Sequence, residues 1–210
     1  MILQAGIPEA MLVMREDVQD HKAFSAAGVG PAIGTGKEAA AFLKNIVSGY
    51  HMPLVLDADA LTILSTHTKL FEQIPKGTIF TPHPKEFDRL FGDHEDDKAR
   101  RKTATGIAEE AKIIIVLKGH RTFITDGKHS YLNSTGNSGL AKGGSGDALT
   151  GIITSFLAQG YEPLNAAILG VYIHGMAADI ALKDQSHESM LITDVIDCMG
   201  KAFKKISIKH

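Results

Sequence analysis

The sequence predicts an α/β fold, a mostly parallel sheet held between helix layers. Three observations carry that reading. Short β-branched runs alternate with stretches of helical periodicity. Polar, glycine-rich segments fall just after the ends of the predicted strands, where open parallel sheets bind ligands. One of those segments, Asn137 to Asp147, runs straight into an amphipathic helix.

The elements follow in order. Lys37–Val47 has helical spacing. Pro53–Asp57 reads as a buried strand, and so does Thr78–Thr81. Pro84–Leu90 and Lys98–Ala111 are helical. Arg100, Arg101 and Lys102 beside Glu95, Asp96 and Asp97 read as a solvated helix start, not a binding patch. Ile113–Leu117 is the clearest strand. Thr122–Thr125 and Ser130–Leu132 form a hairpin around Asp126 and Gly127. Asp147–Gln159 repeats apolar residues at Ala148, Leu149, Ile152, Ile153, Phe156 and Leu157, with Gly160 placed to end the helix. Pro163–Leu182 and Ile192–Phe203 complete the helices. His174 and Asp179 on the former are expected to form a buried, hydrogen-bonded pair that supports packing.

Bulk properties narrow the class. A length of 210 residues fits one domain, 1–210, with a core that can stand alone. Apolar residues at 44% and charged ones at 22% are those of a globular chain, not a disordered one. A net charge of −2 provides no basic surface for nucleic acid or an anionic membrane. The single cysteine, Cys198, cannot close an internal disulfide, which fits a reducing cytoplasm, and it reads as a small buried apolar group. No apolar run is expected to approach the roughly 20 residues that span a bilayer, and the N-terminus lacks the pattern of a signal peptide.

The strand-end segments carry the chemistry. Gly139, Gly143, Gly144 and Gly146 crowd the turn before a helix, where free N–H groups and the helix dipole attract phosphate. Asp147 sits at that anion site, where a phosphate would repel it. A chemical role such as taking a proton from a hydroxyl explains its presence. Gly28–Gly34 follows a strand and reads either as a turn or as a second polar cradle. Asp57 and Asp59 divide between capping the following helix and holding a magnesium-bound phosphate or orienting a loop. His83, stiffened between Pro82 and Pro84, is a candidate substrate contact, and Glu86 either begins a helix or meets a metal. Lys118 ends an apolar strand where it would meet phosphate charge, and Gly119 lets the chain turn across a nucleotide. No cysteine, histidine and carboxylate cluster has zinc spacing, and no Walker loop or nucleophile elbow occurs.

TPHPKEF, VLDADAL, VLKGHRTFI and GNSGLAKGGSGDALTGIITSFLAQG followed by GVYIHGMAAD resemble the ADP/ATP-dependent NAD(P)H-hydrate dehydratases. The resemblance runs from about Pro8 to the C-terminus. It implies a ribokinase-like three-layer α/β/α sandwich of the kind often labelled a carbohydrate kinase. It also implies repair of hydrated NADH or NADPH, by phosphoryl transfer to the ring hydroxyl and elimination of phosphate. Asp147 would then be the base. Gly143, Gly144, Ser145 and Gly146 would hold the transferring phosphate, with Lys118, Gly119, His120, Arg121 and Thr122 lining the site of ATP or ADP. Gly30, Gly34 and His83 would touch the hydrated coenzyme, with Asp57, Asp59, Glu86 and Asn137 in support. Mg²⁺ would ride on the nucleotide phosphates with no direct protein ligand, and homo-oligomers are expected.

Two departures from the family pattern stand out. Its GPGLG appears as Gly30-Pro31-Ala32-Ile33-Gly34. Its KGDxG start and GxxGxxGA substrate loop have no counterpart before Pro8, so the expectation is a member lacking the N-terminal βαβ region of about 30 residues or more. The alternatives are a kinase of a small alcohol using the same aspartate, or a nucleotide-binding fragment without turnover.

Overall fold

A computed structural model describes residues 6–14, 24–49 and 52–207. Its sheet runs in chain order: β1 (Ala27–Val29), β2 (Leu54–Leu56), β3 (Ile79–Phe80), β4 (Ile114–Leu117), β5 (Phe123–Thr125) and β6 (Ser130–Leu132). β1 to β4 pair in parallel, and β4–β5 and β5–β6 are antiparallel. The helices are α1 (Lys37–Gly49), α2 (Ala58–Thr66), α3 (Thr68–Phe71), α4 (Pro84–Phe91), α5 (Asp97–Ala111), α6 (Ser145–Ala158), α7 (Pro163–Ala181), α8 (Ile192–Asp197) and α9 (Met199–Ile206).

Strand alternation builds two cores. Leu54, Leu56, Phe80, Ile115 and Leu117 point to one face and pack with Leu43, Leu61, Phe87 and Ala104 of α1, α2, α4 and α5. Val55, Ile79, Ile114, Val116 and Ile124 point to the other and meet Leu149, Ile153, Ala167, Ile173 and Ala202 of α6, α7 and α9. Helices on both faces explain why β2 and β4 read as unbroken apolar runs. The expected three-layer α/β/α sandwich is therefore present.

Several expectations are corrected. Gly28 and Val29 lie inside β1, not after it. The 28 position is glycine because α6 crosses close by: a Cβ there would lie 2.5 Å from Thr154 Oγ1. The expected helix Ile192–Phe203 is divided at Cys198 into α8 and α9. α7 is a 19-residue helix apolar enough by length and composition to cross a membrane, contrary to expectation, with 61% of that stretch buried in this fold. It is apolar nearly all round because α6 and α9 cover it.

Candidate active site

The end of the sheet that carries the site is organised by helix starts. Gly144, at φ +85°, is the N-cap of α6, and the left-handed conformation suits glycine because it has no Cβ. The N–H groups of Gly146 and Asp147 in the first turn of α6 have no intrahelical acceptor. α4 begins with a capping box: His83 Nδ1 accepts from the N–H of Lys85 (3.1 Å) and Glu86 (3.2 Å), while Glu86 Oε2 accepts from the N–H of His83 (2.8 Å). A ring nitrogen that accepts two N–H groups keeps its lone pair, so the neutral ring carries its proton on Nε2. Burial lowers the His83 pKa and favours that neutral form, with the nearby Glu86 carboxylate opposing it.

Beneath the glycine turn lies a buried ion pair. Asp57 is 1% exposed; its Oδ1 takes a hydrogen bond from Lys118 Nζ at 2.8 Å, and its Oδ2 one from Thr150 Oγ1 at 2.9 Å. Lys118 Nζ is also 3.9 Å from Glu86 Oε2. Gly146 rests on this pair, since a Cβ there would sit 3.3 Å from Lys118 Nζ and 3.4 Å from Asp57 Oδ2. The ends of β2 and β4 and the starts of α4 and α6 are thus tied through four side chains.

Above the pair opens a cleft of about 660 Å³. His83, Lys118, Gly119, His120, Thr122, Asn137, Gly143, Ser145 and Gly146 line it, so three of the expected strand-end segments converge. Arg121 is exposed and not among the lining residues. Gly144 acts as the N-cap behind the turn. Asp147 lies on the exposed side of the first turn of α6, and its carboxylate makes no hydrogen bond or ion pair among the described residues.

The other two segments serve neighbouring backbone. Gly30, at φ +140°, packs its backbone on Asp57, where a Cβ would come within 1.8 Å of the Asp57 carbonyl oxygen. Gly34 N–H donates to Asp59 Oδ2 at 2.9 Å, so Asp59 orients the loop after β1. Asp57 is the N-cap residue of α2, but its side chain makes no capping bond, because Lys118 and Thr150 occupy it. The Lys118 ammonium, expected to face phosphate, is seated on Asp57. Glu86 begins a helix, one of its two expected roles.

The loop before α6 is pinned from behind. Asn137 caps a 3₁₀ turn at Ser138–Leu140 by accepting from Gly139 N–H, and its Nδ2 donates to Asp179 Oδ1 at 3.0 Å. Gly136 N–H donates to Asp179 Oδ2 at 2.9 Å. Lys142 Nζ donates to the carbonyls of Glu188 and Met190, both at 2.7 Å. The expected His174–Asp179 pair does not form. Five residues on a helix separate two side chains by about 140°, so Asp179 reaches the exposed loop while His174 turns inward. Sequence reasoning passed over Thr150 and the function of Asp179. A polar residue on the apolar face of α6 was the signal for Thr150.

The chain is similar to several known proteins. A family model described as NAD(P)H-hydrate dehydratase matches residues 3–201. An ADP-dependent (S)-NAD(P)H-hydrate dehydratase of Neisseria meningitidis is 41% identical over 182 residues, 84% of this chain and 62% of that protein. A bifunctional NAD(P)H-hydrate repair enzyme of Moorella thermoacetica is 38% identical over 85% of this chain and 34% of its own length. The chain therefore spans less than two thirds of these relatives. The crystal structure of an ADP/ATP-dependent NAD(P)H-hydrate dehydratase from Bacillus subtilis, co-crystallised with ATP and Mg²⁺, superposes with a TM-score of 0.84 at 31% identity, covering 98% of this chain and 75% of that one. With its sandwich, glycine turn and strand-end cleft, the chain belongs to the NAD(P)H-hydrate dehydratase family.

Proposed function

We propose that the chain restores NADH or NADPH from the hydrated coenzyme, with ADP or ATP as phosphoryl donor. One observation carries the reading: Gly143, Ser145 and Gly146 of the glycine turn line the cleft beside Lys118, and Asp147 stands free on the first helical turn that follows. The ATP and Mg²⁺ in the Bacillus subtilis crystals support a nucleotide in this cleft.

The residues divide the work. N–H groups of the glycine turn hold the transferring phosphoryl group and take up its charge. The Asp147 carboxylate accepts the proton of the ring hydroxyl as its oxygen bonds to phosphorus and the donor P–O bond breaks. The ring C–O bond then breaks, phosphate leaves with the electron pair, and loss of a proton from the adjoining ring carbon restores the double bond. His83 Nε2–H offers the coenzyme a fixed donor. Mg²⁺ usually keeps several waters and binds through substrate phosphates.

Asp147→Asn tests the assignment. Turnover should fall by at least about 10²-fold, while ATP still raises the melting temperature by mass action. Full activity in that variant would remove Asp147 from the mechanism.

A further inference from the structure

The loop that runs into the glycine turn forms one wall of the cleft, which residues 135–138 and 140–143 line. Two glycines let this loop press against α7. Gly136 takes φ +98°, and a Cβ on it would sit 3.3 Å from the Gly175 Cα. A Cβ on Gly175 would in turn overlap Thr135 and Gly136. Asp179 follows Gly175 by four residues, so it stands on the same face of α7 and reaches the loop.

Both carboxylate oxygens are engaged there. Asp179 Oδ2 accepts from Gly136 N–H at 2.9 Å, and Oδ1 accepts from Asn137 Nδ2 at 3.0 Å. Asn137 passes the constraint on, its Oδ1 accepting from Gly139 N–H at 3.0 Å in the turn Ser138–Leu140. The inward-facing His174 of the same helix, 5% exposed and with its Nε2 unpaired among the described residues, takes no part in this clamp. The clamp adds little to stability by itself. Asp179 is exposed, so water can replace the bonds it makes. It also stands in the last turn of α7, where the helix dipole disfavours a negative charge. A carboxylate so placed is explained by the loop it orders, not by the helix that carries it.

We propose that Asp179 is a positioning residue for the nucleotide: through Gly136 and Asn137 it fixes the wall leading into Gly143–Gly146 before the ligand arrives. The proposal rests on the cleft holding a nucleotide. A ligand that meets a wall already ordered avoids the cost of ordering it.

Calorimetric titration of the full chain with MgATP tests it, with amide hydrogen exchange followed over residues 136–143. Asp179→Ala should weaken MgATP binding about ten-fold. Its loop amides should exchange faster without ligand and return to the parental rate at saturating MgATP. The ligand-free melting temperature should fall by no more than about 4 °C; a larger fall would mark the clamp as structural and overturn the proposal. Asp179→Asn, equal in shape and still able to accept from Gly136 N–H, should recover part of the lost affinity. In an Asn137→Ala background, Asp179→Ala should cost only about three-fold, because one of its two links is already gone. Parental affinity in Asp179→Ala would overturn the proposal, as would parental loop exchange or losses that add fully in the double variant. A parent chain that binds no MgATP would remove the nucleotide reading and this inference with it.

Discussion

Lys118→Met should be among the most destabilising single changes at the site, and the cost follows from burial. The carboxylate of Asp57 is 1% exposed, and Lys118 is its ion-pair partner among the described residues. Without the ammonium, Asp57 keeps only the Thr150 hydroxyl as a side-chain partner. Breaking a buried pair from one side costs about 3–5 kcal/mol, because a charge is left uncompensated. At about 2–4 °C per kcal/mol for a chain near this size, the melting temperature should fall by about 10 °C. Asp57→Asn should cost less, about 1–3 kcal/mol. The Lys118 side chain is 21% exposed and reaches water and Glu86 at 3.9 Å. The double variant should be more stable than the sum of the two by about 2 kcal/mol, since neither charge is then stranded. Urea unfolding of all four proteins measures the cycle. Additivity within about 0.5 kcal/mol would refute the claim that the pair acts as a unit beneath the glycine turn.

Ala32 occupies the left-handed region at φ +56°, where the family pattern has glycine. Ala32→Gly should therefore raise stability by about 0.5–1 kcal/mol, the relief of a strained conformation less the entropy cost of glycine; a lower urea midpoint would contradict it. Gly30→Ala should do the reverse by several kcal/mol, about 3 or more, because its Cβ has no room against Asp57. Stability should also fall on acidification from pH 6.5 to about 4. His174 titrates at its ordinary 6.5 when unfolded and near 4 when folded, so the unfolded state holds the extra proton across that window. The loss is at most about 3 kcal/mol, at about 1.4 kcal/mol per pH unit, and it should level off below the window. In His174→Phe the same pH series should be flatter by that amount; an unchanged slope would show that other groups set it.

Much of the framework was legible because it is local. The apolar run Ile113–Leu117 reads as a buried strand, and the spacing of Leu149, Ile153 and Phe156 as a helix. The glycine density before Ser145 marked the turn into α6 for the same reason. What escaped is contact between distant parts of the chain. Asp57 meets Lys118 across 61 positions and Thr150 across 93, and periodicity carries no trace of either. A carboxylate just before a helix reads as a cap, and only the fold shows the ammonium that claims it. His174 and Asp179 looked like a pair because they are near in sequence, although the helix turns them apart. The unpaired state of His174 Nε2 depends on which groups surround it in space, which no single segment states.

In the function we propose, this cleft couples phosphoryl transfer to elimination. Hydrated NADH, ATP or ADP, and Mg²⁺ should be incubated with the chain while reduced-nicotinamide absorbance and released phosphate are followed together. Recovery of NADH with one phosphate released per coenzyme is the predicted result. A stable phosphorylated product without NADH, or nucleotide binding with no turnover, would contradict the account.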